Sequence, residues 1–426
     1  MRRSSSTTAA AATAFSWLRG ASSSAAPPLP SSTLPLFSRG TSGGRARLFS
    51  TAATTAATFQ AKDLKVQRTN TPKAKPKNED LTFGANFTDH MLTVKWSKAK
   101  GWEAPLVAPY RKLELDPSCV VFHYGLECFD GLKAYRDSQG KVRLFRPEEN
   151  MKRLHRSCQR LMLPGFDEKE ALECLKELIK VDRDWVPNGK GYSLYIRPTV
   201  IGTQPTLGIA PASEALFFII LSPVGPYYKT GWKPIRLLAD DKYVRAWPGG
   251  TGSAKIGGNY ASTVLAQSEA EKKGFQQILW LFGDDHQITE VGTMNLFVLW
   301  INQNGERELI TAPVSENGLI LPGVTRDSVL QLMRQKGADR LRVTERPFTM
   351  KELVEASEAG RVIEVFGTGT AAVVSPVKSV SYKGKEYEFP LGSSGKAGDM
   401  TLEIWETLQA IQHGERPPQE WSVLVD

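Results

Sequence analysis

The feature that most constrains the fold is the uninterrupted apolar run from Ala215 to Leu221, followed at once by Pro223, Gly225 and Pro226. An apolar run of strand length bounded by breakers reads as a strand covered on both faces, and a proline and glycine cluster ends regular structure. With 426 residues, the chain exceeds what one hydrophobic core supports, so this break divides it. The division runs as residues 81–224, a linker at 225–235 and a larger part at 236–426. Ahead of these, residues 1–60 read as an organelle transit peptide without fixed structure, and 61–80 as a polar, lysine-rich lead-in, with order beginning near Leu81.

The elements on either side of the break are mixed. Leu92 to Trp96 alternates as a strand, and Leu132 to Arg136 with Lys141 to Phe145 flank a turn as a hairpin. Helices are expected from Glu148 to Leu161 and from Asp167 onward, the latter with Glu170 in the capping-box position. After the break, Ile235 to Ala239, Gln277 to Phe282, the Glu290 to Trp300 region, Glu308 to Thr311, Arg361 to Phe366 and Ala372 to Val374 read as strands. Asn259 to Lys273, Thr325 to Lys336, a segment capped by Thr349 with Glu352, and Asp399 to Gln412 read as helices. The class is α+β.

The formal net charge of +9 suggests nucleic acid until its location is traced. Residues 1–62 hold seven basic side chains and no acid, leaving 47 basic against 45 acidic in the rest, a net of +2. Serine, threonine, alanine and arginine without acids mark a transit peptide, and the Arg45 to Ser50 segment resembles mitochondrial processing sites. The mitochondrion is the expected compartment, with the chloroplast as alternative. Nucleic-acid and membrane partners are not expected: basic aromatic clusters are absent, and no apolar run reaches a membrane span. The five histidines form no ligand pattern, so no metal is expected. Four cysteines without CxxC spacing read as reduced thiols.

Chemistry concentrates in a few stretches. Lys255 lies among Thr251, Gly252, Ser253, Ala254, Gly257 and Gly258, small residues that let the backbone approach a planar ligand; a solvated loop lysine fits the same stretch. Tyr195 and Arg197 share one face of a strand, either a recognition pair or a wet face. The Leu321 to Arg326 segment opens into a helix, giving an anion site or an ordinary cap. Glu290 sits among apolar residues and needs a partner, which is a structural arginine or a protonated ring nitrogen. Gly367 to Ala372 fails as a dinucleotide fingerprint because no helix follows. A lysine, a buried carboxylate and an anion-binding helix start are together the parts that hold pyridoxal phosphate.

Read as whole motifs, the chain resembles the branched-chain amino acid aminotransferases of the type IV pyridoxal-phosphate fold. The resemblance rests on GWEAP at 101–105, FHYGLECFDGLKAYR at 122–136, LYIRPT at 194–199, SPVGPY at 222–227, KIGGNY at 255–260, ITEVGTMNLF at 288–297, LPGVTR at 321–326 and FGTGTA at 366–371. It implies a two-domain fold, with a smaller α/β domain, a larger β-barrel-like domain with helices, and the site between them. It further implies that Lys255 carries pyridoxal 5'-phosphate on its amine and moves the substrate's α-proton. Glu290 is implied to meet the pyridine nitrogen, Tyr260 the 3-oxygen, and Arg153, Val324, Thr325 and Thr370 the phosphate. Thr370 and Ala371 are implied to receive the substrate α-carboxylate, Tyr124, Phe129 and Tyr195 to line an apolar pocket, and Arg197 to receive the side-chain carboxylate of glutamate. The implied reaction exchanges the amino group between L-leucine, L-isoleucine or L-valine and 2-oxoglutarate in a homodimer. The motifs LYIRPT and EVGTMN argue against a D-amino acid aminotransferase or an aminodeoxychorismate lyase. Ala372 to Ser375 departs from the CxxC of animal mitochondrial members, which puts that thiol regulation in doubt.

Overall fold

Strand Glu214–Val224 lies inside a sheet, hydrogen-bonded to Ser193–Gly202 on one side and His90–Ser97 on the other, both antiparallel; its Phe217, Ile219 and Leu221 enter the core, while Phe218 and Ile220 on the other face are half-buried. The computed structural model describes residues 58–226, 233–315, 318–336 and 341–426. The processing segment at Arg45 to Ser50, nearly all of the expected transit peptide, linker residues 227–232 and Gly337 lie outside the described residues. The first sheet has ten strands and continues from Ser193–Gly202 through Leu132–Arg136 and Val142–Phe145 to Ser422–Leu424 near the C-terminus. One face is covered by helices Pro147–Arg160 and Glu168–Val181, whose Met151, Leu154, Leu175 and Leu178 pack against the strands.

Beyond the break a second sheet of nine strands forms. Gln287–Val291, Gln277–Phe282, Ile235–Asp240, Val373–Tyr382, Val362–Gly369 and Met294–Ile301 follow one another, and the last pairs back to the first. That closure makes a barrel and leaves these strands without a free edge. Its apolar strands bury Leu237, Leu279, Ile288, Val298 and Val365 as one cluster. Helices Val324–Lys336 and Asp399–Gln412 contribute Val329, Leu330, Ile404 and Leu408 to another, with Phe297 and Phe366 stacked at 5.3 Å.

Four differences from the expected elements have local causes. Order begins well before Leu81: Phe59 is 2 % exposed and packs on Trp102, Phe166 and Phe217, so the expected transit-peptide boundary at residue 60 overruns into the core. The lead-in is then strapped down, with Lys65–Val66 pairing Leu106–Pro109 and Lys73 Nζ donating to the Phe87 and Thr88 carbonyls. Asp167 caps its helix by accepting from the Lys169 and Glu170 amides, but the Glu170 carboxylate accepts from the Ala61 amide instead of closing a capping box. The helix expected from Asn259 to Lys273 is two, Gly257–Ala261 and Val264–Lys272. Ser262 and Thr263 hydroxyls take the Asn259 and Tyr260 carbonyls between them, an alternative to continuing the helix. The strand after the glycine turn runs on to Tyr382.

Phe59 gives a direct test of the early start. Phe59→Ala is expected to lower unfolding stability by roughly 3 kcal/mol, read from urea or thermal unfolding; an unchanged midpoint would place this residue outside the cooperative core.

Candidate active site

Lys255 is held by its backbone from three directions. The Asn259 side-chain amide donates to the Thr251 and Ala254 carbonyls at 2.8 and 2.9 Å and accepts from the Thr251 hydroxyl at 2.7 Å, which locks the loop in front of the lysine. The Lys255 amide donates to Ser157 Oγ at 2.9 Å on helix Pro147–Arg160. Its carbonyl accepts from the Phe129 amide at 3.0 Å. Only the side chain is left to move. Nζ donates to the Tyr260 hydroxyl at 2.7 Å and lies 4.8 Å from the centre of the Phe129 ring.

Charge and burial act on this amine together. Burial is the larger cause, with the Arg153 charge next, and Asp130 pulling the other way; the result brings Lys255 from 10.5 down to about 7. An amine at that position is largely unprotonated just above neutrality and can act as nucleophile or base. Tyr260 is pushed up to about 12, chiefly by burial, so its hydroxyl keeps its proton at neutral pH.

Arg153 and Asp130 form the charged floor. Arg153 Nε and Nη2 donate to the two Asp130 oxygens at 2.8 and 2.7 Å, both side chains being buried. Asp130 also accepts from Asn150 Nδ2 and the Gly131 amide. Arg153 Nη1 reaches across to the Pro322 carbonyl at 3.1 Å. One residue earlier, the Leu321 amide donates to Glu290 Oε1 at 3.1 Å, and Asn295 Nδ2 donates to the same oxygen at 2.9 Å. The other Glu290 oxygen faces Arg245 Nη1 at 2.7 Å, yet that nitrogen makes no aligned hydrogen bond. The contact is an ion pair, and Oε2 receives no aligned hydrogen bond from it. Burial pushes Glu290 up, against the Arg245 charge and the Leu321 amide that pull it down.

Helix Val324–Lys336 starts beside this chain of contacts, with Val324 and Thr325 buried. Thr325 Oγ1 donates to the Gly369 carbonyl and Thr370 Oγ1 to the Gly131 carbonyl, each at 3.3 Å, so the 370–372 turn is tied to the helix start and to the first sheet. A Cβ at Gly131 would meet the Tyr195 hydroxyl at 2.1 Å, so a larger residue there requires the Tyr195 ring to shift. Arg197 Nη2 donates to that hydroxyl at 3.0 Å and its guanidinium lies 4.6 Å from the Phe129 ring centre.

The structure therefore brings together Lys255, Tyr260, Arg153, Phe129, Tyr195, Arg197, Glu290, Val324, Thr325, Thr370 and Ala371. Tyr124 stands apart. Gly125, at φ 61°, turns the chain after the short helix Val120–Tyr124, and the Tyr124 ring is exposed against Leu207 and His123. Of the two partners weighed for Glu290, an arginine is present, Arg245. The residues not anticipated are Asp130, Ser157, Arg245, Asn295 and Phe83, whose ring meets Tyr195 edge-on at 4.8 Å. A basic residue among apolar neighbours in Val244-Arg245-Ala246-Trp247 was the available signal for a buried ion pair.

With this geometry in hand, comparison decides the family. The amino-transferase class IV profile matches residues 127–380. This chain belongs to the class IV aminotransferases. It is 52% identical over 365 residues to the branched-chain-amino-acid aminotransferase of Dictyostelium discoideum, covering 85% of this chain and 95% of that protein. It is 51% identical over 361 residues to the mitochondrial branched-chain-amino-acid aminotransferase of Schizosaccharomyces pombe, covering 84% of each. Among solved structures, the branched-chain amino acid aminotransferase from Escherichia coli superposes with a TM-score of 0.60 at 27% identity, over 79% of this chain and 99% of that one. The type IV fold is thereby established, and the chain is an enzyme of the branched-chain-amino-acid aminotransferase group, a transferase. Its cofactor is pyridoxal 5'-phosphate.

The depressed lysine has a stability signature. Between about 7 and 10.5 the unfolded chain holds a proton on Lys255 that the folded chain has lost, so stability contributed through this group rises with pH across that window. In cofactor-free protein, Lys255→Met is expected to raise the melting temperature most near pH 6 to 7, with the gap over wild type shrinking toward pH 10. A gap that grows with pH would contradict the depressed amine.

Proposed function

We propose that this enzyme transfers the amino group between L-leucine, L-isoleucine or L-valine and 2-oxoglutarate, using pyridoxal 5'-phosphate and giving branched-chain 2-oxo acids and L-glutamate. The single observation that carries the reading is the buried Lys255 amine, drawn down to about 7 and 2.7 Å from the Tyr260 hydroxyl.

The residues present fit the cofactor. Glu290 receives two hydrogen bonds, both on Oε1, and an ion pair but no aligned hydrogen bond on Oε2, which suits a protonated ring nitrogen at Oε2. Tyr260 offers a hydroxyl for the 3-oxygen. Arg153 spends three of its five N–H groups on Asp130 and Pro322, leaving two for phosphate beside the Val324 and Thr325 amides and Thr370, whose hydroxyl would exchange the Gly131 carbonyl for a phosphate oxygen. When bound, pyridoxal phosphate supplies a ring that accepts the charge left on the substrate's α-carbon. Lys255 holds the cofactor and carries the α-proton on Nζ. Glu290 holds the proton on the ring nitrogen.

Substrate recognition divides by chemistry. The Thr370 and Ala371 amides take the α-carboxylate common to all substrates. Phe129 and Tyr195 present an apolar wall, which separates leucine, isoleucine and valine by only about 1 to 3 kcal/mol. Arg197, whose Nε has no partner, takes the distal carboxylate of glutamate. Tyr124, with Phe122, Leu207 and Ile209, is exposed at 40 to 81 %, an apolar patch that a second copy covers in a homodimer. The two domains lie at 81–224 and 236–426, each built on one sheet, although Lys65–Val66 and Ser422–Leu424 join the first sheet from outside 81–224, with the site where Arg153, Thr370 and Thr325 link them. Import is mitochondrial, in keeping with the acid-free leader and the mitochondrial Schizosaccharomyces pombe relative; a chloroplast remains the alternative that fractionation distinguishes.

Purified protein supplied with pyridoxal phosphate is expected to aminate 2-oxoglutarate from L-leucine and not from D-alanine; preference for D-alanine would sink the substrate assignment. Lys255→Ala is expected to lose turnover by roughly a hundredfold to ten-thousandfold, with substantial steady-state activity counting against its role. Glu290→Gln is expected to slow single-turnover α-proton transfer far more than it weakens cofactor retention, and equal single-turnover rates would refute that.

A further inference from the structure

A second buried lysine faces the same turn that closes the candidate site. Lys133 lies on strand Leu132–Arg136, is 8 % exposed and donates from Nζ to the Ala371 carbonyl at 2.8 Å. Its strand neighbour across the ladder is Tyr195. Among the described residues no carboxylate forms an ion pair with this amine, and burial lowers it from 10.5 to about 8. A lysine enclosed on such terms is costly to keep unless it does something at that place.

The turn it holds is under strain. Gly369 and Val373 pair across the hairpin, residues 370–372 form the loop, and Val373 closes it at φ 61°. That region of backbone space is an outlier for a β-branched residue and persists only where the surroundings impose it. The restraints come from outside the barrel strands. Thr325 Oγ1 bonds the Gly369 carbonyl, Thr370 Oγ1 bonds the Gly131 carbonyl, and Lys133 Nζ bonds the Ala371 carbonyl. Only the last brings a formal charge, and charge-assisted bonds are the stronger kind.

We propose that Lys133 is a positioning residue for the substrate α-carboxylate: its bond to the Ala371 carbonyl holds the strained turn so that the Thr370 and Ala371 amides stay aimed into the site, while its positive charge sits behind them. The inference rests on the reading that those two amides receive the α-carboxylate. Lys133 is not placed in contact with substrate or cofactor. It acts through the turn, and the same arrangement serves the amino acid and the 2-oxo acid because both carry that carboxylate.

The test separates carboxylate recognition from general damage. Holoenzyme is titrated with 4-methylvalerate, which keeps the leucine skeleton and carboxylate without the amine, and with 3-methylbutylamine, which keeps the skeleton and amine without the carboxylate. In Lys133→Met, affinity for the acid is expected to fall by roughly tenfold to a hundredfold, and affinity for the amine to stay within about threefold. Lys133→Gln, with a neutral polar end in the same enclosed place, is measured beside it and is expected to show the same selective loss if the methionine variant does not fold. Equal losses for both ligands, or acid affinity that survives in either variant, overturn the role of Lys133. Wild-type holoenzyme without affinity for 4-methylvalerate contradicts the α-carboxylate reading itself, and this inference falls with it.

Discussion

The buried pair Asp130–Arg153 is the interaction on which the rest of the site depends. Asp130 accepts from both faces of the Arg153 fork, from Asn150 and from the Gly131 amide, so an otherwise expensive charge is fully compensated. Removing either partner of such a pair strands the other and costs about 3–5 kcal/mol. The pair sets the chain direction where Glu127–Phe129 hands over to Leu132–Arg136. Through Arg153 Nη1 it also fixes the Pro322 carbonyl just ahead of helix Val324–Lys336. One ion pair thus aligns the lysine's wall, the helix start and the loop that satisfies Glu290.

Around that pair, cations and anions near Lys255 are matched in number. Arg153 and Arg197 push the amine down while Asp130 and Glu290 pull it up, and burial tips the balance toward the neutral form. The same enclosure raises Tyr260 and keeps it protonated. A strongly shifted amine with named charge neighbours in a lined recess is the pattern expected of a working group rather than a structural one. The small residues that flank Lys255 have separate reasons: a Cβ at Gly252 would meet the Gly318 carbonyl and Ala246, and one at Gly257 the Glu127 carboxylate, whereas Gly258 faces open space.

Much of this was legible in the chain, for reasons that differ by residue. Strands such as Ile235–Asp240 and Gln277–Phe282, and the Thr349–Glu352 capping box, are local signals, and the structure has them where the sequence places them. The motifs around Lys255 and Glu290 pointed to chemistry through residue type and neighbours. Asp130 and Lys133 were not legible because their meaning lies in partners far along the chain, such as Ala371 for Lys133, and Arg245 was marked only by its apolar neighbours. The early start at Phe59 was hidden by the polar stretch after it: one aromatic ring reaching Trp102 and Phe217 outweighs a lysine-rich segment whose charges remain at the surface. The broken helix after Tyr260 turned on two hydroxyls that choose carbonyls over solvent, which propensity does not register.

The central claim is that Lys255, and no other lysine, bears the cofactor. Protein equilibrated with pyridoxal phosphate, reduced with borohydride and digested for peptide mass mapping tests it most directly. The expected result is a single phosphopyridoxyl adduct on the peptide that contains Lys255, and loss of that adduct in Lys255→Ala. An unmodified Lys255 peptide beside a stoichiometric adduct on Lys133 or any other lysine would contradict the account.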